Sequence, residues 1–261
     1  MRDITLGQYY PADSLLHRLD PRTKLVGTVV FLVSLFVTGG IAGYLAATLF
    51  LAALIILSRV PFQFMTRGLK GILLILVISV SFNIFLTDGT PIFTIGPVTA
   101  TWEGLKTAGF MAVRLIYLVM GSSILTLTTT PNELTSGLEK GLGFLSKINV
   151  PVHEIAMMMS IALRFIPILS EETDKIMKAQ MARGADFETG GLIKKAKAMI
   201  PLLVPLFISA FRRASDLAMA MEARFYHGGE GRTKLHPLKY KKADVISYLV
   251  LAAYLGVMIF I

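Results

Sequence analysis

The sequence predicts an all-α integral membrane protein with about five transmembrane helices and three cytoplasmic helices, the last two long and packed against each other. Three observations carry that prediction. Of 261 residues, 54% are hydrophobic and only 16% are charged, which is far more apolar than an average soluble domain. Apolar runs of spanning character recur along the chain, separated by turns rich in Gly, Pro and Thr. The net charge of +9 is gathered in a few segments between those runs, so topology explains it. Nucleic-acid binding does not, because no basic-aromatic surface or recognition motif accompanies the charge. The chain has no cysteine, which removes disulfide frameworks, thiolate metal sites and a cysteine nucleophile together.

Residues 1–24 form a polar, basic arm that includes Pro11, Asp13, His17, Arg18, Asp20, Pro21, Arg22 and Lys24. A signal peptide is the weaker reading of this start, since the arm is long and further spans follow. In Asp20-Pro21 the proline suits a first helical turn and the aspartate an N-cap. Runs 25–37 and 41–57 flank a Thr38-Gly39-Gly40 turn; the first is short for a crossing, and tilt, a thinned bilayer or the stem of Lys24 would make up the length. Arg59, Arg67 and Lys70 mark a cytoplasmic loop before a third span, 71–86, which ends in Thr87-Asp88-Gly89-Thr90-Pro91. Residues 92–101, with Gly96-Pro97 and no Lys or Arg, read as an external loop, re-entrant or exposed.

Trp102 occupies the place of an interfacial aromatic before the fourth span, 105–127. Arg114 falls inside that span, where a charge is costly; pairing with a neighbouring helix is preferred to a substrate role. The last run, 245–261, follows Lys239, Lys241 and Lys242. These runs divide the chain into the arm with spans one to four (1–129), a cytoplasmic helical region (130–242) and a C-terminal span (243–261). With the N-terminus inside and the C-terminus outside, only Lys106 and Arg114 depart from the positive-inside pattern.

Within the cytoplasmic region, Thr130-Pro131-Asn132-Glu133 is a capping box with proline in the first turn. An amphipathic helix is expected from there to about Lys147, carrying Leu134, Leu138, Leu142 and Leu145. Two longer helices follow, 152–183 after Pro151 and 192–226 after Gly190-Gly191, with Pro167, Pro201 and Pro205 expected to kink them. Each has an apolar core (155–169 and 199–211) shorter than a comfortable crossing. A seven-span layout is the alternative. It would put Lys175, Lys178, Arg183, Lys194, Lys195 and Lys197 outside, against the charge pattern.

Near the ends of these two helices stands the same pattern, Ala-x-x-Ala-Arg: Ala179, Ala182 and Arg183, then Ala220, Ala223 and Arg224. Positions i, i+3 and i+4 share a helical face, so each copy sets two small residues beside a planar cationic fork suited to carboxylates or carbonyls. Good helix formers recurring by chance would explain one copy but explain two less well. Catalytic chemistry is hard to find elsewhere. No phosphate-binding Gly-x-x-x-x-Gly-Lys-Ser/Thr loop occurs; His153-Glu154 lacks a second histidine, since Met157 stands in its place; and His17, His153, His227 and His236 have no ligand spacing. Glu171, Glu172 and Asp174 read as a solvated face, and Met157, Met158, Met159, Met177, Met181, Met199, Met219 and Met221 mostly as packing.

The stretch from Ser14 to Lys24 and the two Ala-Arg motifs, the second followed by Tyr226-His227-Gly228-Gly229, resemble the transmembrane T subunit of energy-coupling factor (ECF) transporters, over nearly the full length. The resemblance implies a non-catalytic scaffold in the prokaryotic cell membrane. It would bind two ABC-type ATPase subunits and a separate substrate-binding membrane subunit for uptake of vitamins or other micronutrients. It implies no cofactor on this chain, with ATP and Mg on the ATPases, and no nucleic-acid partner. Carried onto this sequence, it assigns ATPase contacts to Ala179, Ala182, Arg183 and Gly184 and to Ala220, Ala223, Arg224 and Phe225. Phe225 departs from the family's small residue after arginine, which puts the fit of the second contact in question. A self-sufficient secondary transporter would need its own site near the midplane, and a membrane enzyme a polar cluster within the spans; these are the alternatives.

Overall fold

The computed structural model describes residues 9–95, 98–187, 191–228 and 237–261. Gly96, Pro97, Gly190, Gly229 and His236, all singled out above, lie outside them. The chain is an all-α integral membrane protein. Its helices are α1 (Pro21–Val37), α2 (Ile41–Ser58), α3 (Phe62–Leu86), α4 (Trp102–Thr128), α5 (Pro131–Gly141), α6 (Val152–Ala182), α7 (Leu192–Glu222) and α8 (Lys242–Phe260). Between α3 and α4, where the sequence reads as an irregular loop, strands β1 (Pro91–Ile95) and β2 (Val98–Thr101) pair as an antiparallel hairpin. Alternating Ile, Phe, Val and Thr in that stretch favours extended pairing. The chain falls into two units, one of Gly7–Leu138 with Leu238–Ile261 and the other containing Glu139–Pro237.

In the first unit the core lies where α1, α2, α4 and α8 meet, at Phe31, Leu35, Ala47, Leu51, Met120, Ile124, Leu127 and Met258. Phe50 and Tyr254 stack with ring centroids 4.1 Å apart, and the Tyr254 hydroxyl bonds to Ser34 at 2.8 Å. Helix α4 approaches α1 closely at Gly121, where an added Cβ would stand 2.6 Å from Phe31 Cε1. We expect Gly121→Val to overpack this contact and destabilise the fold by about 1–3 kcal/mol. Thermal unfolding of the detergent-solubilised chain would measure the loss.

Among the described residues, five helices are long and apolar enough to cross a membrane: α2, α3, α4, α6 and α8. This set differs by one from the apolar runs of the sequence. Helix α1 has 17 residues, about 26 Å, and falls short. Helix α6 enters because most of its charges, Glu171, Glu172, Asp174, Lys175 and Lys178, fall in its C-terminal half, leaving only Glu154 and Arg164 in the apolar stretch before them. These helices leave large apolar side chains exposed, above all α3, whose one buried residue is Met65. Such a surface suits lipid.

The N-terminal arm, read from the sequence as a polar extension, folds back onto the end of α4. A helix leaves its last carbonyls without intrahelical partners. Here Tyr10 N donates to Leu127 O at 2.9 Å, and Lys24 Nζ donates to Thr128 O at 2.8 Å and His17 O at 3.2 Å. His17 Nε2 donates to Tyr10 O at 3.0 Å while the Ser14 hydroxyl lies 2.7 Å from its Nδ1. Lys24 is therefore buried, at 8% exposure, instead of extending toward water.

Asp20 caps α1 by accepting from Arg22 N at 2.9 Å, with Pro21 in the first turn. Burial pushes its carboxyl upward, but the Arg22 guanidinium and backbone N–H outweigh that and hold it below the usual carboxylate range. Its own N–H donates to Asp244 Oδ1 at 2.8 Å, and Asp244 Oδ2 accepts from Lys241 N at 2.7 Å. One fully buried carboxylate thus joins the starts of α1 and α8. Arg114 pairs between helices, its Nε donating to Tyr44 Oη of α2 at 3.0 Å. Trp102 opens α4, which Thr101 caps by accepting from Gly104 N.

Thr130 and Glu133 form the expected capping box, at 3.1 and 3.3 Å. Helix α5 ends earlier than its leucine pattern implies, at Gly141, and Gly143–Ile148 form a 3₁₀ turn. Gly141 and Gly143 bracket Leu142 at this break, and glycine is a poor residue for a helix interior. In the second unit α6 and α7 each run 31 residues, continuous through Pro167 and through Pro201 and Pro205.

Candidate partner interface

Both Ala-Arg motifs sit where their helices end, and the two ends close in the same way. In α6, Arg183 N donates to Gln180 O at 3.0 Å, Gly184 N to Met181 O at 3.0 Å and Ala185 N to Gln180 O at 3.0 Å. In α7 the bonds recur 41 residues later: Arg224 N to Met221 O at 3.1 Å, Phe225 N to Glu222 O at 2.9 Å and Tyr226 N to Met221 O at 3.1 Å. This is the Schellman pattern, and it requires a left-handed residue just after each arginine. Gly184 takes it with φ of 87° and Phe225 with φ of 54°.

The arginines lie in the turn that closes each helix, Arg183 as the C-cap just past Ala182 and Arg224 just past the C-cap Ala223. Ala179 and Ala182 belong to the last turn of α6, and Ala220 to that of α7. Ala179, Ala182, Arg183, Gly184, Ala220, Ala223, Arg224 and Phe225 are all exposed. Among the described residues neither guanidinium makes a hydrogen bond or ion pair. A permanent cation at a helix C-terminus is favoured by the dipole there, and each fork keeps its full set of donors for a partner.

The residue after arginine is where the copies differ. Glycine meets the left-handed requirement without strain, whereas a phenylalanine pays about 1–2 kcal/mol for it. The ring of Phe225 is 82% exposed and lies parallel to that of His227, which donates from Nδ1 to the Phe225 carbonyl at 2.7 Å. Phe225→Gly should therefore tighten the end of α7 by about 1 kcal/mol, read as slower amide exchange of its last turn. Unchanged exchange would show that the His227 contact already offsets the strain.

Helices α6 and α7 meet at a polar pair that the sequence reading placed on a solvated face. The side chain of Glu172 is half-buried, accepting from Arg213 Nη2 at 2.8 Å and from the Ser209 hydroxyl of α7. Glu172 stands 11 residues before Arg183, and Arg213 stands 11 residues before Arg224. The contact is thus in register with the motif repeat, and about 16 Å of helix leads from it to each arginine. The position of Glu172 two residues from Asp174 gave no signal of this role; a matching arginine at the same offset did. His153, for its part, pairs with Glu139 at 3.0 Å.

Comparison with known proteins adds two findings. A family model described as cobalt transport protein (CbiQ) matches residues 12–235. Curated relatives named energy-coupling factor transporter transmembrane protein EcfT align over almost all of the chain. The protein from Thermosediminibacter oceani is 53% identical over 249 residues, covering 95% of this chain and 94% of the relative. That from Heliobacterium modesticaldum is 49% identical over 261 residues, with 100% and 97% covered, and that from Bacillus subtilis 49% over 259 residues, with 98% of each.

Proposed function

Because the chain belongs to the family of EcfT transmembrane proteins of energy-coupling factor transporters, we propose that it is the non-catalytic scaffold of an ATP-driven importer. In this reading Arg183 and Arg224 each anchor one ABC-type ATPase subunit, which carries the ATP and Mg. The observation that carries it is the duplicated helix end: two exposed guanidinia, unpaired among the described residues, on turns closed by the same hydrogen bonds and equally spaced in sequence from the contact between α6 and α7. Two equivalent hooks suit two equivalent or closely related partners. Closure of the ATPases on ATP would move the hooks, and α6 and α7 would pass that movement to a separate substrate-binding membrane subunit.

The charge distribution supports an orientation with the N-terminus and the α5–α7 region in the cytoplasm and the C-terminus outside, in which α6, although long and apolar enough to cross, lies along the inner membrane face. Vitamins or other micronutrients are the substrate class this reading assigns, chosen by the substrate-binding subunit. Reconstitution tests it. Vesicles holding this chain alone should accumulate nothing, while vesicles holding it with both ATPases and a substrate-binding subunit should take up substrate only with ATP. Gradient-driven uptake by the chain alone would overturn the reading in favour of a self-sufficient transporter.

A further inference from the structure

A cavity of about 330 Å³ lies inside the unit formed by Gly7–Leu138 and Leu238–Ile261. Four helices wall it over matching depths, 23–31 in α1, 50–57 in α2, 121–128 in α4 and 243–251 in α8. Each contributes three to five side chains over a stretch of eight or nine residues, about 12 Å of helix, which is less than half of a hydrocarbon core roughly 30 Å thick. The cavity therefore occupies one leaflet, on the side where the N-terminal arm folds back. Leu15, Leu57 and Ile246 line it and are exposed, which places its mouth among them.

The walls are mostly apolar, and the hydroxyls of Thr28, Thr128 and Ser247 are spent on carbonyls of their own helices; unmet polar groups stand at the arm end. There Thr23, 5% exposed, has an Oγ1 with no hydrogen-bond partner, and Lys24, 8% exposed, spends two of its three N–H groups on carbonyls. Among the described residues no carboxylate lies within ion-pair distance of its ammonium. The carboxylates of Glu133, Asp20 and Asp244 act on that ammonium through space, while their own hydrogen bonds come from other donors: Asp20 from Arg22, Asp244 from two backbone N–H groups and Glu133 from Thr130. The third Lys24 N–H and the Thr23 hydroxyl are thus buried donors without an acceptor, and a phosphate oxygen beside them would supply one.

We propose that this cavity holds an acyl chain of an anionic phospholipid, whose phosphate accepts from the Lys24 ammonium and the Thr23 hydroxyl. The depth suits a chain entering from one interface, and the polar pair stands where a headgroup would. Gly27 keeps the space clear: a Cβ built there meets nothing within 4 Å.

The test uses the full chain purified in detergent, with lipid retention read by native mass spectrometry. Its probes are phosphatidylglycerol, phosphatidylcholine with the same acyl chains, and inorganic phosphate. Phosphatidylglycerol should be retained roughly fivefold over phosphatidylcholine. Inorganic phosphate should not displace it, because the chain supplies most of the binding. Gly27→Leu, which fills open space, should lose retention of both lipids with its melting temperature kept, while Lys24→Met should lose only the preference for phosphatidylglycerol. Equal retention of the two lipids by the unmodified chain overturns the proposal. So does full retention by Gly27→Leu, and displacement by phosphate would mark an anion site that does not need the chain. Should Lys24→Met fail to fold, the lipid comparison and Gly27→Leu decide the matter by themselves.

Discussion

Arg183→Glu combined with Arg224→Glu is expected to abolish recovery of the ATPase pair with this chain. Each guanidinium is exposed and unpaired among the described residues, so replacing it disturbs nothing within the chain that holds the fold. Buried in a partner's groove, each arginine would act as an interface anchor worth about 2 kcal/mol or more, about thirtyfold in affinity. Glutamate goes further than alanine, since it sets a carboxylate where the partner offers acceptors. The single variants sharpen the test: each should weaken one ATPase contact and leave the other, because the two helix ends are separate. Co-purification and ATP-driven uptake measure the outcome, and undiminished recovery by the double variant sinks the anchor assignment.

Asp244→Ala should be the most damaging single change within the membrane unit. Its carboxylate is fully buried and satisfies two backbone donors, Asp20 N and Lys241 N, on segments far apart in the chain. Truncation would leave both N–H groups without an acceptor, at about 1–3 kcal/mol each, and would open a small void beside them. The expected loss is about 2–5 kcal/mol, visible as a lower melting temperature in detergent. Asp244→Asn retains one carbonyl oxygen and should fall between the two. An Ala variant as stable as the parent would mean that water replaces the carboxylate there.

Much of the architecture was legible because its signals are local. Asp20-Pro21 and the Thr130–Glu133 capping box announce helix starts within four residues, and the structure forms both. The long helices after Pro151 and Gly191 were readable for the same reason, whereas the end of α5 was not, since a leucine stripe continues past the glycines that stop the helix. Contacts between distant segments left no trace. Asp20 and Asp244 are 224 residues apart, and nothing in either neighbourhood predicts that one serves the other.

The candidate site divides along the same line. The repeated Ala-Arg pattern is visible in the sequence with the six residues it names, to which the resemblance adds Gly184 and Phe225. That the arginines sit in closing turns was not visible, because a helix and its Schellman end share the same residues up to the last position. Phe225 illustrates the difficulty: its sequence argues against a left-handed conformation, and only the bonds of Arg224, Phe225 and Tyr226 reveal that it adopts one. Glu172 looked solvated because its neighbours Glu171 and Asp174 are charged, yet it faces Arg213 across two helices.

The equal spacing of Glu172 and Arg213 from the motif arginines has a mechanical consequence. A pivot set midway between two tips divides a rotation evenly. Were α6 and α7 to turn about the Glu172–Arg213 contact by 10°, each tip, about 16 Å away, would sweep about 3 Å. Neither end would then hold a leverage advantage over the other. Any asymmetry between the two halves of the cycle would have to arise at the tips themselves, where glycine follows one arginine and phenylalanine the other.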